Sequence, residues 1–323
     1  MMIITNYFYE NERAMLKQFV STYTYFYRHF FISVGCVLLS LNSHAHDFHS
    51  HQESVGTNKS HVEISTENGL TTTTNHASNY VKYLGNEALF IKVDDNKILF
   101  DPFFHDNIRI YQLVPDFLKS KITNGLAPFN NINVVFISHA HRDHFAVDEV
   151  VQYLLKYPQV KLVAPQQAIE KIIKQLTENK LTIDKQRLIG VKLAFGDQPW
   201  QMTLDELVID AVRIPHAGWP SRAEVENIVF RVTLNGSSTI MHMGDADPDD
   251  DHYLPYKSFW QKKVTDINFP PYWFLYSAEG RDILDNIIGA KSNIGVHVPM
   301  DVPKQLKQSG RLFFSKPDEN KTL

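Results

Sequence analysis

The feature that most constrains this 323-residue chain is a short apolar segment that runs directly into a cluster of histidines and an aspartate. Residues 133–137 (Asn-Val-Val-Phe-Ile) form a continuous apolar run, typical of a strand that is buried on both faces. The next seven residues, Ser-His-Ala-His-Arg-Asp-His, contain an HxHxDH motif. In an extended segment, side chains two apart project to the same side, so His139 and His141 can bind one metal ion together. The chain then turns, which offers Asp143 and His144 to a neighbouring position.

Three further candidate ligands follow other predicted strands. They are His216 after Ala-Val-Arg-Ile-Pro, Asp245 after Thr-Ile-Met-His-Met-Gly, and His297 within Ile-Gly-Val-His-Val-Pro. Strand ends that border one edge of a sandwich can converge although they are far apart in sequence. Asp101, which closes the predicted strand Ile-Leu-Phe-Asp, is expected beneath the same edge, where its carboxylate can orient a metal-ligating histidine. Imidazole and carboxylate ligands suit zinc, and carboxylate-rich sites also accept manganese or iron.

The rest of the chain after Asn79 predicts an α/β fold, a four-layer αββα sandwich built from two β-rich halves that each carry helices. A hairpin is expected about Asn235-Gly236, one of the strongest two-residue turn sequences. The predicted strands cover residues 80–84, 88–93, 97–100, 133–137, 161–164, 207–214, 227–234, 238–243 and 293–298. The predicted helices cover residues 147–156, 166–176 and 279–288, and residues 108–121 are expected to form a helix or a lid.

The first 78 residues differ from the remainder. Arg13, Lys17 and Arg28 precede an apolar run over residues 30–41, and Ser43-His44-Ala45 follows, which is the arrangement of a signal peptide. The run is shorter than the roughly 20 apolar residues that span a bilayer. We therefore predict a signal peptide over residues 1–45, a flexible His/Ser/Thr-rich leader over residues 46–78, and one catalytic domain over residues 79–323. A retained membrane anchor, or lipidation at Cys36, is the alternative for the first segment.

Composition narrows the classes of function. The single cysteine excludes a thiolate zinc cluster and an internal disulfide framework. The formal net charge of −4 provides no basic surface for nucleic acid, so a nuclease is disfavoured. His46, His49 and His51 in the leader can scavenge a metal ion or stay solvated.

The HxHxDH motif, with His216, Gly244-Asp245 and His297 following in order, resembles the metallo-β-lactamase superfamily over residues 80–300. The opening of the domain is similar to the branch that contains ascorbate-6-phosphate lactonase and N-acyl-phosphatidylethanolamine phospholipase D. The resemblance implies two divalent metal ions, zinc or else Mn²⁺ or Fe²⁺, and a metal-bridging hydroxide that Asp143 orients as a catalytic residue. The implied ligands of the first metal are His139, His141 and His216; those of the second are Asp143, His144 and His297; and Asp245 bridges both.

We accordingly predict a periplasmic or secreted dinuclear hydrolase that acts on a small ester, lactone or phosphodiester. The expected partner is a small-molecule substrate, with no nucleic acid and no stable membrane span after signal cleavage. Two alternatives stay open, namely a metal-binding or carrier protein on a catalytically idle fold, and a β-lactamase-type amide hydrolase. Zinc β-lactamases typically lack the bridging aspartate, so Asp245 disfavours the latter. Aromatic residues expected near the metal form either a substrate pocket or core, and they are Phe103, Phe104, His105, Trp219, Tyr272, Trp273 and Tyr276.

Overall fold

The computed structural model describes residues 79–323, which form two seven-stranded β-sheets with helices on their outer faces. The predicted signal peptide and leader lie outside the described residues. The first sheet contains β1 (Tyr80–Gly85), β2 (Ala88–Val93), β3 (Asn96–Phe100), β4 (Val134–Phe136), β5 (Lys161–Pro165), β6 (Leu188–Val191) and β14 (Asn320–Thr322). The second contains β7 (Trp200–Leu204), β8 (Leu207–Arg213), β9 (Ile228–Leu234), β10 (Ser238–His242), β11 (Ile267–Phe269), β12 (Ser292–Gly295) and β13 (Leu312–Phe313).

Each sheet combines an antiparallel part with a parallel part. In the first sheet the strand order is β14-β1-β2-β3-β4-β5-β6, and β3 to β6 are parallel to one another. In the second the order is β13-β12-β11-β10-β9-β8-β7, with β10 to β13 parallel. Strand β4 (Val-Val-Phe) is apolar and fully buried, as expected for a parallel strand that is covered on both faces. The predicted hairpin about Asn235-Gly236 joins β9 to β10.

The helices complete a four-layer sandwich. The helices are α1 (Asp116–Thr123), α2 (Val147–Lys156), α3 (Gln166–Glu178), α4 (Lys257–Lys262), α5 (Ala278–Asp282) and α6 (Lys304–Gln308). One apolar core lies between the two sheets, a second lies between the first sheet and α1 to α3, and a third lies between the second sheet and α4 to α6. The predicted α/β class and αββα architecture are therefore confirmed. None of the helices in residues 79–323 has the length and apolar character needed to cross a bilayer.

The elements differ from the predicted ones at several places. Strands β6, β7, β11, β13 and β14 and helices α4 and α6 are not among the predicted elements. The helix expected over residues 108–121 is confined to α1, because Pro115 precedes it and the backbone of Ile108 and Arg109 is left-handed. The helix expected over residues 279–288 changes from α to π geometry after Asp282, so that four of its last six residues pack into the core, and it ends at Gly289 in the left-handed conformation.

Candidate metal centre

The carboxyl ends of strands from both sheets meet at one edge of the sandwich. Asp101 directly follows β3, and the HxHxDH segment begins three residues after β4. In the second sheet, His216, Asp245 and His297 lie two or three residues beyond β8, β10 and β12. Parallel strands end at the same edge, where ligands of open α/β sheets usually bind. The topology thus brings together residues that are separated by up to 158 positions, as counted from His139 to His297.

One cluster consists of His139, His141, His216 and Asp245, whose nearest side-chain nitrogen and oxygen atoms all lie within 4.8 Å of one another. The ring centroids of His139 and His141 are 4.8 Å apart, and those of His141 and His216 are 4.6 Å apart. His139, His216 and Asp245 are buried, while His141 is partly exposed. The chain turns after His141, whose carbonyl accepts hydrogen bonds from the amides of His144 and Phe145.

That turn supplies a second cluster, which consists of Asp143, His144, Asp245 and His297. All four residues are buried. The distance from His144 Nε2 to Asp143 Oδ2 is 3.6 Å, and the ring centroids of His144 and His297 are 5.2 Å apart. The seven residues that the sequence singled out therefore lie together, in the two groups that the resemblance implies.

Asp245 belongs to both clusters and directs one carboxylate oxygen toward each. Its Oδ2 lies 3.2 Å from His216 Nε2 and 3.8 Å from His139 Nε2. Its Oδ1 lies 2.8 Å from His297 Nε2 and 3.4 Å from His144 Nε2. A single carboxylate so placed can bind two ions at once.

The donor atoms fit a metal ion of zinc size. Ligands held tetrahedrally at about 2.0–2.2 Å from an ion are about 3.3–3.6 Å apart, which matches several of the distances between the side chains. Within the described residues, His139 Nε2, His216 Nε2 and Asp245 Oδ1 are buried and make no well-oriented hydrogen bond, although Asp245 Oδ1 lies 2.8 Å from His297 Nε2. Buried polar atoms are rarely left unpaired, and a bound ion would satisfy these.

The electrostatics of the first cluster favour neutral imidazoles. Burial lowers the pKa of His139 well below its ordinary value, and the neighbouring His144 lowers it further. Burial, followed by the nearby His216, lowers the pKa of His141 to about 4. Both rings are therefore neutral at pH 7, the state in which histidine binds a metal ion.

The second cluster has the opposite balance of charge. Burial alone would lower the pKa of His144, but the carboxylates of Asp245, Asp143 and Asp101 outweigh it and raise that pKa well above the ordinary value. Burial would raise the pKa of Asp245, but His297 and His144 hold it well below its usual range.

Asp101 supports the centre from beneath, as the sequence predicts. Its Oδ2 lies 3.0 Å from Nδ1 of His144, which leaves Nε2 of that ring facing the cluster. The same carboxylate accepts hydrogen bonds from the backbone amide and the hydroxyl of Ser138, and the amide bond is 2.7 Å long. One buried side chain therefore orients His144 and anchors the start of the HxHxDH segment.

Three non-glycine residues of the centre have a left-handed backbone conformation. Asn86, Asp101 and His297 all have positive φ angles, of 47°, 41° and 58°. These residue types are the non-glycine residues most often found there, and such backbone persists where the surroundings enforce it. Gly244, with φ of 56°, precedes Asp245, and a Cβ atom at this position would lie 2.4 Å from Asn227 Oδ1. Only glycine therefore fits at position 244.

Several residues around the centre were not identified from the sequence. Asn86, after β1, donates a hydrogen bond of 2.8 Å to the carbonyl of Asp143 and accepts one of 2.9 Å from the amide of His297. The ring of Tyr111 lies over His297 at 3.9 Å between centroids. Glu87 is completely buried, and its two carboxylate oxygens have no hydrogen-bond partner within residues 79–323. Burial, followed by the charge of Asp245, raises the pKa of Glu87 well above its usual range.

The candidate aromatic residues divide between core and site. Phe103 and Phe104 are buried in the core beneath α1 and α2. Trp273 lies 5.4 Å from the ring of His297 and donates its Nε1–H to the carbonyl of Ala246. His105, by contrast, is exposed beside Asp148.

The loop that follows Asp245 is acidic and contains Asp247, Asp249, Asp250 and Asp251. Asp247 accepts hydrogen bonds from the amides of Gly218, Trp219 and Asp249. Asp249 in turn caps a short 3₁₀ helix that begins at Asp250. The carboxylates of Asp247 and Asp249 therefore stabilise the backbone of this loop.

The family model of the β-lactamase superfamily domain matches residues 80–259, which is more than half of the chain. A comparison with curated proteins found no match. A possible metal-dependent hydrolase from Veillonella parvula DSM 2008 has a similar structure, with 14% identity and a TM-score of 0.52 over 76% of this chain and all of that one. Isothiocyanate hydrolase from Delia radicum gut bacteria has 12% identity and a TM-score of 0.50 over 76% and 99% of the two chains. Human tRNase Z, short form, has 11% identity and a TM-score of 0.50 over 75% and 98%.

These likenesses support the fold, and the family match does not distinguish among branches, so the resemblance to the lactonase and phospholipase D branch stays a prediction. The sequence match, the αββα architecture and the paired His/Asp clusters agree with one another. The chain belongs to the metallo-β-lactamase superfamily of metal-dependent hydrolases.

Proposed function

We propose that this chain is an exported hydrolase with two metal ions that acts on a small ester, lactone or phosphodiester. The observation that carries the proposal is Asp245, whose two oxygens face two separate sets of buried ligands. In this assignment one ion is held by His139, His141 and His216, and the other by Asp143, His144 and His297. Asp245 is shared between them.

Bound divalent cations supply a Lewis acid at the oxygen under attack and lower the pKa of water, so no serine or cysteine nucleophile is needed. The remaining work falls to the protein. Asp143 is buried beside His144 and its carboxylate can accept a proton from attacking water and return it to the leaving group. Asn86 holds the carbonyl of Asp143, and Tyr111 covers His297, so both keep the ligands in place.

The chemistry of the centre and the charge of the chain limit the class of substrate. A fold alone does not define a substrate, and the similar structures carry names as different as isothiocyanate hydrolase and tRNase Z. The net charge of −4 opposes a polyanionic substrate such as RNA. The bridging aspartate opposes a β-lactamase, so small esters, lactones and phosphodiesters are preferred. Export is supported by the predicted signal peptide, and amino-terminal sequencing of the exported protein should then begin at His46.

A substrate screen tests this proposal directly. We expect the purified chain to hydrolyse at least one member of a panel of lactones, thioesters, phosphodiesters and cephalosporins. A chelator should abolish the activity, and Zn²⁺, Mn²⁺ or Fe²⁺ should restore it. Hydrolysis that survives complete removal of metal would contradict the assignment, and preference for cephalosporins would contradict the substrate class.

A metal carrier is the second candidate, because the leader contains His46, His49 and His51 close together. Deletion of residues 46–78 separates the two functions. A hydrolase should retain its turnover and its metal content after the deletion, whereas a carrier should lose much of its metal-binding capacity.

Replacement of Asp101 by asparagine tests the support beneath the centre. Asparagine keeps the shape of the side chain but removes the negative charge that holds His144 Nδ1–H, so we expect metal affinity to fall about 10- to 100-fold. Competition with a chromogenic chelator measures the change. The control is Asp95→Asn, an exposed carboxylate at the tip of the same β2–β3 hairpin, which should leave the affinity unchanged. Equal affinities of the two variants would show that Asp101 does not orient a ligand.

A further inference from the structure

A separate pocket lies beside the metal centre, and four of the residues that line it have aromatic or imidazole rings. These rings belong to Phe195, Trp219, His252 and Tyr256, and Arg213 and Pro215 also line it. We call it the ring pocket. Phe195 and Trp219 meet edge to face, with 4.7 Å between centroids and 79° between planes, and Trp219 and His252 meet in the same way at 5.8 Å and 80°. Aromatic rings favour such geometry with one another and with an aromatic guest.

The pocket has the size of a single ring. Its volume is about 130 Å³. For comparison, an engineered apolar cavity of about 150 Å³ in another protein binds benzene. A six-membered ring with a small substituent therefore fits.

Two buried polar atoms of pocket residues, Arg213 Nε and His252 Nε2, have no hydrogen-bond partner in the described residues. Both atoms are shielded from solvent, so neither offers a hydrogen bond to a guest in the pocket. The terminal nitrogens of Arg213 donate to the carbonyls of Leu193 and Ala223, which holds the guanidinium in place at 4.3 Å from the ring centroid of Phe195. Asp251 also lines the pocket and opposes the charge of Arg213, so the guest is expected to be uncharged.

The pocket is joined to the metal centre through short stretches of chain. Pro215 lines the pocket and directly precedes His216, and the carbonyl of Pro215 accepts a hydrogen bond of 2.8 Å from the amide of Asp247. The loop that carries Trp219 begins at Ala217, whose amide donates a 2.7 Å hydrogen bond to the carbonyl of Asp245. The two sites thus share the backbone that presents two of the proposed ligands.

We propose that the ring pocket binds a flat, uncharged ring of the substrate, while the bond to be cleaved lies at the metal centre. This inference rests on the proposed hydrolase function and names the part of the substrate that the enzyme recognises. Of the aromatic residues that the sequence placed near the metal, only Trp219 lines this pocket, and its partners come from the β6–β7 connection and the loop after β10.

Binding of benzamide to the purified full chain tests the proposal without requiring turnover. Calorimetry should give a dissociation constant at least about tenfold lower for benzamide than for cyclohexanecarboxamide, which has the same amide without a flat ring. Trp219→Ala should weaken benzamide binding at least about tenfold. Trp219 is partly exposed on a loop, so this variant is expected to fold.

The control is Phe117→Ala, which removes an exposed ring from α1 and should leave benzamide binding unchanged. The titration is repeated after treatment with a chelator, and the same affinity is expected. Binding that disappears with the metal, or that is equal in Trp219→Ala and the unmodified chain, would overturn the ring pocket. Benzamide binding that persists in a chain without any hydrolytic activity would leave the pocket standing and remove the proposed function instead.

Discussion

Replacement of Asp245 by alanine is expected to remove both metal ions and to lower hydrolysis by at least about a thousandfold. Its two oxygens face different clusters, at 3.2 Å from His216 Nε2 and 2.8 Å from His297 Nε2, so its loss opens both sites at once. Metal catalysis contributes several kcal/mol of transition-state stabilisation, and about 4 kcal/mol corresponds to a thousandfold change in rate. Elemental analysis of the purified variant gives the stoichiometry, and the rate on the best substrate of the screen gives the second readout.

Single-cluster variants show whether the two sites are distinct. His141 belongs only to the first cluster and His297 only to the second. His141→Ala and His297→Ala should therefore each reduce the metal content from about two ions to about one. His105→Ala is the matched control, because this histidine is exposed beside Asp148 and belongs to neither cluster. It should retain both ions and full activity.

Two outcomes would contradict the dinuclear assignment. A stoichiometry well below two that His141→Ala does not change would show that the first cluster holds no ion. A variant Asp245→Ala that keeps two ions would show that the aspartate is not shared. Near-ultraviolet circular dichroism of each variant distinguishes loss of metal from loss of the fold.

The features of the centre that could be predicted from the sequence are those that depend on residues close together in the chain. The spacing in His139-Ala-His141 places two imidazoles on one side of an extended segment, and this follows from the chain itself. The αββα class was predicted from two β-rich halves that each carry helices, and it is confirmed. The positions of His216, Asp245 and His297 near strand ends sufficed to expect convergence, since parallel strands end at a common edge.

The missed residues depend on contacts between distant segments. Asn86 follows β1 by one residue in what looks like an ordinary hairpin turn, and only the order of the sheet places β1 at the metal edge. Tyr111 lies in a segment expected to be helical, but the left-handed backbone of Ile108 and Arg109 directs the chain elsewhere. The ring pocket combines three connections that follow β6, β8 and β10, and no local pattern links them. In each case the position of a strand within its sheet decides the contact.

Replacement of Asp210 by alanine is expected to destabilise the folded chain by about 3–5 kcal/mol. Asp210 on β8 is directly opposite Arg231 on β9, and both side chains are buried. Arg231 Nε donates a hydrogen bond of 2.9 Å to Asp210 Oδ2, and Lys263 and Gln201 donate to the same carboxylate at 3.0 Å and 2.7 Å. Removing the carboxylate leaves a buried guanidinium without its counter-charge, and the breaking of such pairs is strongly destabilising. Urea denaturation followed by circular dichroism measures the change.

The control is Asp205→Ala, because Asp205 forms an exposed ion pair with Lys161. This substitution should destabilise the fold by less than about 1 kcal/mol.

The cost of Asp210→Ala should also depend on pH. Burial would raise the pKa of Asp210, but the hydrogen bonds from Gln201 and Lys263 and the charge of Arg231 hold it below its ordinary value. A carboxyl group whose pKa is lower in the folded than in the unfolded chain stabilises the fold above the unfolded pKa of about 3.9, and this contribution is lost as the pH falls through the folded pKa. The difference between the two proteins should therefore be constant near neutral pH and narrow below about pH 4. A difference under 1 kcal/mol at pH 7 would show that Arg231 is compensated by the helix carbonyls of Trp260 and Phe259 alone.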